Sequence, residues 1–134
     1  MSETAACKIV RSDDTYEGLQ GLSYRLGLTS ATVGSRAICM TFLTLSDGAR
    51  AKTHLHRGIE TAIYVVSGET EMYYGPRLEQ CLAVKAGEYL YIPADMPHQV
   101  MNRSGAECTA VVAHTGPDDQ AGIVLLPELD SIVP

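Results

Sequence analysis

The sequence has no basic run. Its ten Lys and Arg are scattered singly from Lys8 to Arg103 against sixteen Asp and Glu, for a net charge of −6. That balance excludes nucleic acid and anionic membrane surfaces as natural partners. The chain also has no apolar stretch approaching the roughly 18 to 20 residues that a membrane span requires. Its first residues, Met-Ser-Glu-Thr-Ala-Ala, do not place a basic region before an apolar one. The expectation is a soluble, cytoplasmic protein. Cysteine is sparse: Cys7, Cys39, Cys81 and Cys108 stand far apart with no C-x-x-C pair, so neither a small disulfide framework nor a tetrathiolate zinc site is expected. They read as reduced, mostly buried thiols. Helical patterning is missing too, since every window of about a dozen residues with apolar side chains at helical spacing is interrupted by Gly or Pro. There is no internal repeat, low-complexity tract or linker.

What the chain does have is globular composition, with 134 residues, 46% hydrophobic, 19% charged and a mean hydropathy of +0.02. A single domain over residues 1–134 follows. Short segments rich in β-branched and aromatic residues recur at 22–28, 37–45, 51–56, 62–66, 69–74, 81–85, 88–92, 98–103, 108–114 and 122–126. Turn residues separate them, as at Ser46-Asp47-Gly48, Ser67-Gly68, Ala86-Gly87 and Pro93 to Pro97. Closely spaced short strands predict an all-β sandwich or barrel over about 22–126, with an N-terminal arm (1–18) and a C-terminal tail (127–134). Strands at both ends of such a barrel leave unpaired edges, which a homodimer would cover.

Histidine is scarce but concentrated. Of the four in the chain, His54 and His56 stand at i and i+2 in a strand-like run, which puts both imidazoles on one face. Glu60 follows four residues on, and His98 comes after the Pro93 to Pro97 turn. Three imidazoles and a carboxylate suit one divalent transition metal: Fe(II), Mn(II), Ni(II), Cu(II) or Zn(II).

These residues resemble the two motifs of the cupin superfamily. Gly48, His54-Leu55-His56, Glu60 and Gly68 correspond to its first motif; Gly87, Pro93, Asp95, His98 and Asn102 correspond to the second, with Asp95 where the family has glycine. The resemblance implies a double-stranded β-helix, or jelly-roll, barrel and a metal held by His54, His56, Glu60 and His98. One count departs from it: seven residues separate Glu60 from Gly68 where the family has six, so Thr61 occupies the register of the carboxylate. An irregular start to the strand would restore Glu60. Met40, Phe42, Lys52, Ile63, Tyr64, Val65 and His114 are the candidate pocket residues, His114 as one that orients a ligand through its ring nitrogen.

An open metal site of this kind, with Fe(II) the preferred ion, favours a dioxygenase-type oxidoreductase acting on a small molecule with two oxygens, such as an enol, catechol or diketone. A sugar or sugar-phosphate isomerase with Zn(II) or Mn(II) is the enzymatic alternative, supported by Lys52. A cupin that binds a metal or metabolite without turnover is the non-catalytic one.

Overall fold

The structure, a computed structural model, describes residues 5–134; the first four residues of the expected N-terminal arm lie outside them. Its strands are β1 (Thr15–Glu17), β2 (Ser23–Leu28), β3 (Ile38–Leu45), β4 (His54–His56), β5 (Thr61–Ser67) and β6 (Glu69–Tyr74). They continue with β7 (Gln80–Lys85), β8 (Tyr89–Ile92), β9 (His98–Met101), β10 (Cys108–Thr115) and β11 (Ile123–Leu125). All pairings are antiparallel, in a six-stranded sheet ordered β1-β2-β3-β10-β5-β8 and a five-stranded sheet ordered β11-β4-β9-β6-β7. This is the expected all-β barrel. One helical turn, α1 (Ser30–Val33), and strand β1 fall where the sequence carries little pattern. Among the described residues no helix is long and apolar enough to cross a membrane.

Alternation along the strands builds the core. On β3, Cys39, Thr41, Leu43 and Leu45 are buried between outward neighbours; on β10 the buried set is Cys108, Ala110, Val112 and His114. Leu43, Leu45, Val65, Met72, Leu90, Val100 and Val112 belong to one apolar cluster between the sheets. Burying each such side chain contributes about 1.5–3 kcal/mol. Cys39 and Cys108 lie inside, while Cys7 and Cys81 are exposed, so half of the thiols are buried rather than most.

Strand β9 departs from alternation because both of its faces are covered. His98 and Val100 face the barrel, while Gln99 and Met101 are buried on the other side, where Met101 meets Leu78, Leu129 and Val133 in a second apolar cluster. The expected tail is therefore packed against the five-stranded sheet. Asp130 Oδ1 accepts a hydrogen bond from Thr53 N at 2.7 Å, next to the first histidine.

Candidate metal centre

Strands β4 and β9 are neighbours in the five-stranded sheet, and His54 pairs directly with His98. Alternation on β4 points His54 and His56 to the same inner face, with Leu55 between them turned away. The result is a cluster of three imidazoles, each offering one ring nitrogen within 4.8 Å of the others. All three are 3–4% exposed. His54 Nδ1 donates to Lys52 O at 2.8 Å and His98 Nδ1 donates to Met96 O at 2.9 Å. Each bond places the proton on Nδ1 and leaves the Nε2 lone pair free, which is the tautomer a metal requires. Burial lowers the pKa of His54 and His98, and holds His56 down at about 3, reinforced by the neighbouring imidazoles. The rings are thus neutral at pH 7. His56 Nδ1 is buried with no hydrogen-bond partner. Three neutral imidazoles with free lone pairs and no thiolate fit a divalent transition metal.

Glu60 does not join them. It is exposed, just before β5, and its carboxylate accepts a hydrogen bond from the Tyr91 hydroxyl at 2.6 Å on the outside of the barrel. The reason is register: Thr61, Ile63 and Val65 take the inward positions of β5, so Glu60 faces out. The one irregularity in the β5–β10 pairing lies at the far end of the strand, where Ser67 and Val65 face Thr109 and Ala110, too late to turn Glu60 inward. Thr61 instead bonds His114, Oγ1 to Nδ1 at 2.8 Å. That contact brings the fourth histidine beside the cluster, its ring 4.7 Å from that of His56, and burial lowers its pKa to about 4.

The four histidines border a small cavity of about 30 Å³. Of the expected pocket residues, Ile63 and His114 line it. Val65 is fully buried in the core instead. Met40, Phe42 and Tyr64 are on the outer face of the six-stranded sheet, opposite the inward residues of β3 and β5. Lys52 is exposed, because regular strand begins only at His54 and alternation does not extend back to it. A larger groove of about 470 Å³ lies on the outer face between Val10–Asp13 and Met40, Phe42 and Arg25, remote from the imidazoles. The histidines, not the larger volume, carry the chemistry.

Gln20, Tyr24 and Thr61 are the polar residues that share the cavity wall with the histidines; sequence reasoning missed the first two and had Thr61 only as the residue in the carboxylate's register. Thr61 had a signal in the count back from Gly68. Gln20 and Tyr24 had none, because they lie some thirty residues before the first histidine and reach the cavity only through sheet pairing.

The chain matches the cupin domain family over residues 41–114, more than half its length and including all four histidines. No curated protein matches it. Among solved structures, the S161A mutant of Bacillus subtilis oxalate decarboxylase OxdC is similar at TM-score 0.68 and 22% identity, over 85% of this chain and 30% of the decarboxylase. The chain therefore spans less than a third of that enzyme. A second structure of the same decarboxylase, at TM-score 0.67 and 22% identity over 83% of this chain and 30% of that one, concerns its Mn(II) centres. A cupin 2 conserved barrel domain protein from Salinispora arenicola CNS-205 matches at TM-score 0.67 and 17% identity, over 81% of this chain and 88% of that one. At these identities the likeness is one of fold.

Proposed function

The chain belongs to the cupin family, and from that we propose that it is a metal-dependent enzyme of dioxygenase type acting on a small, oxygen-bearing anion. The observation that carries this reading is the convergence of His54, His56 and His98, one nitrogen each within 4.8 Å, on the inner face of the barrel. These three residues would hold one divalent transition metal per chain. When bound, such an ion supplies Lewis acidity and, as Fe(II), electrons for reaction with dioxygen. Three protein donors leave coordination positions open for exogenous ligands.

The residues of the cavity define what enters. The donor set carries no charge, so the double positive charge of a metal would stand uncompensated among Leu22, Leu43, Ile92 and Val112. An anionic ligand offsets that cost. Size narrows the choice further: the cavity, about 30 Å³, is far smaller than the roughly 150 Å³ that admits benzene. Its volume is about the space of one water, so a catechol does not fit, and a small acyclic enolate or keto acid enters only with local widening of the wall. No Lys or Arg lines the cavity among the described residues, so nothing there would clamp a sugar phosphate.

Elemental analysis of protein purified without a metal-binding tag, followed by oxygen uptake after anaerobic Fe(II) loading against small enols and keto acids, tests the reading. Near-stoichiometric iron with substrate-dependent oxygen consumption is the expected result. Stoichiometric manganese with release of CO2 from small carboxylic acids, and no oxygen consumed, would replace it with a decarboxylase of the kind the Bacillus neighbour is named for. Metal without turnover of either kind would leave a binding protein, and no metal at all would refute the proposal.

A further inference from the structure

We propose that Tyr24 is a specificity-determining residue of the metal cavity, donating its hydroxyl proton to the outer acceptor atom of a small anion bound at the histidines. The inference rests on the metal reading above and deepens it by naming what the ligand must offer at its far end. Tyr24, 5% exposed, lines the same cavity as His54, His56 and His98 but comes from the opposite sheet, on β2. A ligand between the two sheets therefore has the imidazole cluster on one side and a phenol on the other.

The direction of the phenol's proton follows from its neighbour. Gln20, 2% exposed and also on the cavity wall, donates from Nε2 to the Tyr24 hydroxyl oxygen at 2.6 Å. With the amide in this orientation the hydroxyl oxygen accepts and its own proton is free for a ligand acceptor, while Gln20 Oε1 is buried with no partner of its own. A buried donor without a partner is unfavourable, and a ligand acceptor in the cavity relieves it. The pair is held in place before any ligand arrives. The Tyr16 ring stacks on Tyr24 at 5.7 Å and 20°, a contact made by the ring and not by its hydroxyl. Gln20 is fixed through its backbone, whose carbonyl accepts from Lys52 N at 2.8 Å just before the strand that bears His54. Gly18 makes room for it, since a β-carbon there would run into the Gln20 amide and the edge of the Tyr24 ring. A donor fixed in advance contributes to affinity without an ordering cost. The ligand class is accordingly a few-atom anion with a second acceptor atom away from the metal.

Azide is the probe: three atoms long, a metal ligand at one end and an acceptor at the other. It would be titrated into Co(II)-loaded wild type, Tyr24→Phe and Tyr16→Phe protein, with cobalt content measured on each sample and the visible cobalt bands followed. The expected result is equal cobalt in all three, azide dissociation constants about tenfold higher for Tyr24→Phe, and wild-type affinity for Tyr16→Phe, whose hydroxyl faces Asp119. Equal azide affinity in Tyr24→Phe and wild type at full cobalt would overturn the inference while leaving the metal site intact. Loss of cobalt in Tyr24→Phe, or equal weakening in Tyr16→Phe, would also overturn it, by making the effect one of packing. Failure of wild type to take up cobalt would instead strike the metal reading underneath.

Discussion

Asp95 shows how a single residue ties together the two turns that flank the histidine strands. It sits in the left-handed region at φ 64°, where the family motif has glycine, and its backbone N–H bonds His56 O at 3.0 Å. Its side chain accepts from Gly58 N at 2.9 Å, so the turn after His56 is clamped to the turn before His98. Asp95→Ala keeps the strained φ and loses the side-chain bond; it should destabilise the protein by about 1–3 kcal/mol in urea denaturation. Asp95→Gly, which relaxes the strain, should cost less, and equal losses would show that the side-chain bond alone matters. Among the proposed ligands, His54→Ala, His56→Ala or His98→Ala should each abolish stoichiometric metal by elemental analysis. Glu60→Ala should retain it in full, since that carboxylate is outside the barrel with Tyr91. Thr61→Ala should weaken metal or anion binding through His114, whose ring it holds.

At the scale of elements, the site depends on how the C-terminal segment supports the short strand β4. The Asp130 carboxylate caps Thr53 N and Leu126 N donates to Thr53 O at 2.8 Å, so the residue before His54 is fixed from outside the barrel. Asp130→Ala should cost about 1–2 kcal/mol and lower metal affinity in competition with a chelator; unchanged affinity would mean that β9 alone positions His54. Most of this architecture was legible in the sequence wherever a periodic pattern met a turn signal. The strands from Ile38–Leu45 through Cys108–Thr115 fall on the expected segments; His54 and His56 share a face as their spacing implied, and His98 joins them as the family resemblance implied. What was not legible has a common cause. The motif places Glu60 at the site, and alternation groups Met40 with Phe42 without saying which face is inward, whereas one residue of register decides which face of a sheet a side chain takes. The support from Asp130 and the wall formed by Tyr24 are long-range contacts with no local signature.

For the molecule as a whole, four histidines buried in one cavity make stability depend on pH. Their pKa values are all lowered by burial, with His56 at about 3 and His114 at about 4. The unfolded chain takes up protons below about 6.5 while the metal-free barrel does not, so the stabilisation from neutral imidazoles is complete above that pH. It is lost as pH falls towards 4 and then 3, at about 1.4 kcal/mol per pH unit for each histidine involved. Urea denaturation of metal-free protein at a series of pH values should show this slope, and His114→Gln should reduce it; a stability flat from pH 7 to pH 4 would contradict the burial described. The same burial has a consequence in time. With each ring of the proposed site 3–4% exposed, entry of an ion should be limited by local opening of the barrel. Uptake by the metal-free protein should therefore reach a ceiling as metal concentration rises, the ceiling being the opening rate. A bound ion should outlast a chelator by the interval between openings.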